Sequence, residues 1–159
     1  MAYSTNDDLI NATNEAAILQ LIDDENIGYA DLSSLQTQAN GGDQTAAGAL
    51  ARIDNARDNA DELINTFLRG RQTIPLAVVP DFIKNLSIDL TIYNLYRRRM
   101  RLEMPDTIKE LKTEAMNMLT KVQRGDLKIS DSPQVQSGQI ATNKSKTSKI
   151  FSDDVLNDF

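Results

Sequence analysis

The sequence of 159 residues predicts an all-α fold, in which a compact bundle of about four to five helices is followed by an extended C-terminal arm. Apolar residues recur at three- and four-residue steps in several segments, which is the spacing of amphipathic helices. Glycines, prolines and capping residues separate these segments. After residue 130 the composition changes to serine, glutamine, threonine, asparagine and lysine. We therefore expect a helical core over residues 1–130 and an arm over 131–159.

Two short helices are predicted near the N-terminus. Ser4 or Thr5 can cap the first, because a side-chain oxygen there accepts a bond from the free backbone N–H groups of the first turn. The second helix begins at Asn14-Glu15. The polar segment 23–43 ends in a pair of glycines and predicts a loop with at most one short helical turn.

Three longer helices follow. The first begins at Gln44 or Thr45 and ends near Gly70. A connector with two prolines leads to a second helix, which Asp81 can cap and which runs to residue 100. This helix is apolar on so much of its circumference that it must be central to the core or covered on a second side by a partner. The third begins with Pro105 at its first position and ends at Gly125.

The sequence contains no cysteine and no histidine. A thiolate nucleophile, a Ser-His-Asp triad and metal sites built from sulfur or imidazole are thereby excluded. We expect no catalytic residue, no cofactor, no bound metal and no enzymatic activity. The formal net charge of −6 disfavours a role in nucleic-acid binding, which depends on Lys and Arg.

An acidic segment after the second helix partly matches a calcium-binding loop. Asp23, Glu25 and Gly28 fit its first, third and sixth positions. Ile27 fails the fifth position, however, and Ser34 stands where a bidentate Glu belongs. An acidic loop exposed to water is the better interpretation.

A second group of carboxylates, Asp58, Asp61 and Glu62, lies on one face of the first long helix. A metal-dependent hydrolase could use such a group. The pattern is also that of ordinary surface ion pairs at helical spacing, and we prefer that interpretation. The hydrolase is the least favoured alternative.

One dense basic cluster contains arginines interleaved with aromatic residues. We predict that its arginines meet carboxylates of a neighbouring element or subunit, because guanidinium groups pair well with carboxylates. A small DNA-binding or regulatory protein that uses this cluster is the alternative. The residues of the predicted interface are Tyr93, Tyr96, Arg97, Arg98, Arg99 and Arg101.

Charge is unevenly distributed along the chain. Residues 1–44 contain no Lys or Arg, whereas the region after Arg97 is rich in both. This division suits copies of the chain that associate head to tail, acidic end against basic end.

The arm ends in a short apolar and acidic segment. Ser152 can cap a single helical turn there, and a polar tether followed by apolar residues is typical of a docking tail. The predicted anchoring side chains are Phe151, Val155, Leu156 and Phe159.

The order of these features resembles the short helical head–tail connector family of Mu-like phages and prophages, over nearly the whole chain. The segments that carry the resemblance are Gly70-Arg71, Pro75-Leu76, Val79-Pro80, Ile88-Asp89-Leu90, Tyr93-Asn94-Leu95-Tyr96-Arg97-Arg98-Arg99 and Gly125-Asp126-Leu127.

The resemblance implies a virion structural protein rather than an enzyme. Members of this family look like adaptors that form a homo-oligomeric ring, typically twelvefold, beneath the portal after DNA packaging. They connect the portal to a stopper or tail-terminator protein, and DNA passes through the ring without sequence-specific binding. The expected location is the virion neck, with assembly in the bacterial host cytoplasm and no membrane association.

Overall fold

A computed structural model of the protein describes residues 2–99 and 103–129, and the elements in these ranges are all α-helices. The predicted all-α fold is confirmed. The arm over 131–159, with its four predicted anchors, and Arg101 of the basic cluster lie outside the described residues. The six helices are α1 (Asn6–Ala12), α2 (Glu15–Ile22), α3 (Leu32–Asn40), α4 (Gln44–Leu68), α5 (Asp81–Arg98) and α6 (Asp106–Arg124).

Most helix boundaries follow from local capping. The Thr5 side chain accepts from the backbone of Asp8, whose carboxylate accepts in return from the backbone of Thr5. The second helix begins at Glu15, next to the predicted position, with Asn14 as its cap, and Gly125 ends α6 in the left-handed region at φ 88°. Two predicted helix starts are wrong in detail: Asp81 is the first residue of α5 rather than its cap, and Pro105 precedes α6 rather than occupying its first position. Pro80 and Pro105 themselves occupy the positions that precede α5 and α6, without a side-chain cap.

Helix α3 corrects the prediction of a loop over residues 23–43. The Asp31 carboxylate accepts from the backbone N–H of Ser34 at 2.6 Å and so begins the helix. Leu32 and Leu35 are buried against neighbouring elements, and α3 packs on α4. The helix is polar apart from these leucines, so packing against α4 rather than its own sequence stabilises it.

The antiparallel pair α4 and α5 forms the centre of the fold, and it divides the core into two clusters. The first cluster joins α1, α2 and α3 to the N-terminal half of α4 and the C-terminal half of α5. The second cluster joins α6 to the opposite halves of α4 and α5. Of the two explanations for the apolar circumference of α5, its central position within one chain accounts for the burial.

A buried hydrogen-bond network connects the N-terminal segment to this central pair. The carboxylate of Asp61 accepts from the backbone N–H of Tyr3 at 2.9 Å and from the Ser87 hydroxyl at 2.6 Å. The hydroxyls of Ser4 and Ser87 lie 2.9 Å apart, and the Tyr3 hydroxyl donates to Asn65. Tyr3 and Ser4 are thereby held against α4 and α5 just before α1 begins.

The prediction that Asp61 lies on the exposed face of its helix is wrong. Only 5% of Asp61 is exposed to solvent. Burial raises the pKa of its carboxyl, and the hydrogen bonds from Ser87 and Tyr3 act in the opposite direction. The sequence pattern identified a polar face on α4. The segment that covers Asp61, however, is the N-terminal segment around Tyr3, which is far from Asp61 in the sequence.

Replacing Asp61 should destabilise the core. Asp61→Ala leaves the Tyr3 N–H and the Ser87 hydroxyl without their acceptor, which should lower the free energy of unfolding by about 1–3 kcal/mol. Urea unfolding measures this value. Asp58→Ala, at an exposed position on the same helix, should change it by no more than about 0.5 kcal/mol. Equal effects of the two variants would contradict the role of the network.

The raised pKa of Asp61 also predicts a dependence of stability on pH. A carboxyl whose pKa is higher in the folded state favours folding below its unfolded pKa, and this contribution is lost as pH rises through the folded value. Asp61→Asn removes the titrating group. The stability of the wild type relative to this variant should therefore increase as the pH falls toward 3.8, the ordinary pKa of aspartate. A difference that stays constant in urea unfolding across this range would contradict the assignment.

Candidate functional site

The C-terminal end of α5 brings the predicted arginine cluster against the loop that follows α2. Arg98 pairs with both oxygens of Asp24, from Nη1 to Oδ2 at 2.6 Å and from Nη2 to Oδ1 at 2.9 Å. Arg52 of α4 approaches the same carboxylate, with Nε 3.2 Å from Oδ2. The side-chain hydrogen bond from Arg98 is the largest cause of the lowered pKa of Asp24.

The same arginines cap the C-terminal end of α2. Arg99 donates to the backbone carbonyls of Gln20 and Asp23, and Arg52 donates to the carbonyl of Ile22 at 2.6 Å. Carbonyls in the last turn of a helix lack partners within it, and cations are favoured there. Within the chain, these guanidinium groups therefore attach α2 to α4 and α5.

The acidic loop is closed by its own backbone. The Asp23 carboxylate accepts from the N–H groups of Ile27 at 3.0 Å and Gly28 at 2.8 Å, which occupies the oxygens that a calcium loop would direct at the ion. Among the residues that the structure describes, no three acidic side chains are grouped so that they could hold a metal ion. Glu25 is exposed.

The carboxylates on α4 are not brought together into one site. Asp58 and Glu62 are exposed, whereas Asp61 is buried in the network with Tyr3 and Ser87. Asp61 therefore cannot join Asp58 and Glu62 in a site that uses all three carboxylates.

An open groove lies between α4 and α5, with a volume of about 490 Å³. Asn94 spans its floor, because its side-chain N–H donates to the carbonyl of Ala56 at 2.9 Å. Arg97 is exposed at the edge and has no hydrogen bond or ion pair with any described residue. The side chains that line the groove are Arg52, Asn55, Ala56, Asn59, Leu63, Asn94, Arg97 and Arg98.

The structure separates the residues that the sequence grouped as one interface. Arg98 and Arg99 contact the segment after α2, and Arg97 lines the groove. The Tyr93 ring lies toward α6, with Nζ of Lys112 5.6 Å from its centroid. Sequence reasoning missed the asparagines of the groove, because they form no linear motif and become neighbours of the arginines only when α4 pairs with α5.

None of the helices in the described ranges is both long enough and apolar enough to span a bilayer.

These features define a small helical-bundle protein with an arginine- and asparagine-lined groove on its central helix pair. The chain belongs to the family described as Bacteriophage Mu, Gp36, whose pattern it matches over residues 3–147. It is therefore a phage protein, as the resemblance to Mu-like phages predicted. The match includes all six helices and ends before the predicted anchor at Phe151. No match is found among curated proteins.

Removing the acceptor of the arginine cluster should weaken the attachment of α2. Asp24→Ala leaves Arg98 and Arg52 without their shared carboxylate, and we expect the free energy of unfolding to fall by no more than about 1 kcal/mol, since the pair is partly exposed to solvent. Because the pKa of Asp24 is lowered, its contribution is present above 3.8 and is lost as pH falls through the lowered value.

The control for this variant is Glu25→Ala, which removes a neighbouring exposed carboxylate. Urea unfolding near neutral pH should distinguish the two variants, and the difference should shrink in acid. A larger loss of stability for Glu25→Ala would contradict the assignment.

Proposed function

We propose that the protein is a head–tail adaptor that forms a ring between the portal and the stopper or tail after DNA packaging. Membership of the phage Mu family over residues 3–147 is the observation that carries this proposal. The order of sequence features that resembles helical connectors supports the same role. In this proposal the protein resides in the virion neck and assembles in the host cytoplasm.

The distribution of charge supports a ring of identical subunits. Residues 1–44 carry no Lys or Arg, whereas the arginine cluster lies at the C-terminal end of α5. A ring requires two different patches on each subunit, which pair around a rotation axis. An acidic protein with a net charge of −6 also suits a passage that DNA must cross without being retained.

The proposed role depends on surfaces rather than catalysis. The absence of histidine and cysteine supports this part of the proposal. The separation of Asp61 from Asp58 and Glu62 supports it further, because the clustered carboxylates of the alternative hydrolase are directed to different environments.

The alternative of a DNA-binding protein loses support from the contacts of its arginines. Arg98 and Arg99 are engaged with Asp24 and with backbone carbonyls of the same chain. Of the described members of the cluster, Arg97 remains available. This alternative predicts duplex affinity that falls steeply with added salt, and a flat gel-shift titration at low salt would contradict it.

Deleting residues 131–159 should separate folding from assembly. Both core clusters lie within the residues that remain, so the truncated protein should keep its helical circular dichroism and its cooperative thermal transition. It should no longer join purified portal rings of the same phage in a co-sedimentation assay, because the predicted anchors are lost.

A finer variant tests the anchors themselves by changing Phe151, Val155, Leu156 and Phe159 to alanine. The matched control changes four polar arm residues, Ser137, Gln139, Thr142 and Asn143, to alanine and should bind portal normally. Portal binding by both the truncated protein and the anchor variant would contradict the docking role of the arm.

A further inference from the structure

We propose that the groove between α4 and α5 is a contact site for a second copy of this chain, and that it receives an acidic row on α4 of that copy. The acidic row consists of Asp54, Asp58 and Glu62, which follow one another at four-residue steps. This inference does not depend on the adaptor role, since it concerns self-association of the purified chain.

The groove offers hydrogen-bond donors and positive charge. Arg52 and Arg98 are held by the carboxylate of Asp24 and by backbone carbonyls of α2, so the guanidinium without a described partner is that of Arg97. Exposed Asn55 and Asn59 add side-chain amides along the wall formed by α4. The described residues that line the groove include no carboxylate. The chemistry that fits it is a set of carboxylates, which guanidinium groups bind through paired, charge-assisted hydrogen bonds.

The described residues of α6 do not line the groove. The buried residues of α6, Ala115, Leu119 and Val122, all belong to the second core cluster. The groove runs along the middle of α4, from Arg52 to Leu63, and along the C-terminal half of α5. A volume of about 490 Å³ therefore remains uncovered by the described part of the chain.

The acidic row lacks a full set of cationic partners of its own. Arg57 approaches Asp54 at 3.2 Å, but Asp58 and Glu62 have no ion pair with a described residue. Carboxylates four residues apart on a helix repel one another by a few tenths of a kcal/mol. A cationic surface placed over the row would relieve that repulsion.

The dimensions of the two surfaces agree, and they point to a second molecule. At about 1.5 Å per residue, the row is about 12 Å long and the α4 wall from Arg52 to Leu63 is about 16 Å long. The acidic row and the α4 wall of the groove belong to the same rigid helix. A chain therefore cannot place its own acidic row in its own groove. Every copy presents one groove and one row, so two copies supply both halves of the contact.

Charge reversal on the full-length chain tests this contact. Sedimentation velocity at low salt should show wild-type association that rises with protein concentration and weakens with added salt. Arg97→Glu, and separately the double variant Asp58→Lys with Glu62→Lys, should each weaken association by about tenfold or more. An equimolar mixture of the two should restore association, because the reversed groove then meets the reversed row.

The matched control is Arg69→Glu, which makes the same charge change at an exposed position outside the groove. It should associate like the wild type. Circular dichroism checks the fold of each variant. If Arg97→Glu unfolds, Arg97→Gln replaces it and should also weaken self-association.

Three results would overturn the proposal: a wild type that stays monomeric at all concentrations, variants that associate normally, or a mixture that restores nothing. A fourth result would also overturn the proposal. If Arg97→Glu lost binding to duplex DNA but kept its self-association, the groove would be a nucleic-acid site. Portal binding is measured separately, so failure here leaves the adaptor proposal to its own test.

Discussion

The buried carboxylate of Asp61 determines how the N-terminal segment meets the central helices. A buried carboxylate is costly unless donors satisfy it, and here a backbone N–H and a hydroxyl come from two different elements. Tyr3 is thereby fixed against α4, and Ser87 fixes the register of α5 against the same helix. Since α1 begins a few residues after Tyr3, its position over α5 follows from this network.

Polar contacts at the other end of the central pair act in a different environment. Asp24 and its arginines are partly exposed, so water and salt screen each ion pair. The arginines stabilise the fold through the backbone carbonyls that they cap as well as through their charge, because Arg52 and Arg99 reach the last turn of α2. The two ends of the α4 and α5 pair are thus stabilised by one buried network and by one network at the surface.

Two of the three described arginines of the cluster make contacts within the chain, and this leaves a smaller part of the cluster at the surface. Arg98 and Arg99 stabilise the fold, while Arg97 and the asparagines of α4 remain for a partner. A phage protein that assembles with copies of itself needs a surface of this kind, in which a rigid helix pair holds charged groups at fixed positions. The family match and the groove support compatible proposals, although they rest on independent observations.

The fold class, most helix boundaries and the resemblance to Mu-like phages could be predicted from the sequence alone. Capping at Thr5 and Asn14 and the left-handed turn at Gly125 depend on neighbours within a few residues, so the local pattern contains the information. Three features depend on tertiary packing: Asp61 is buried, the segment after Asp31 is helical, and the arginines divide between a fold contact and a groove. Each of these outcomes depends on which distant segment covers a given face, and helical periodicity specifies the face without specifying the segment that packs against it.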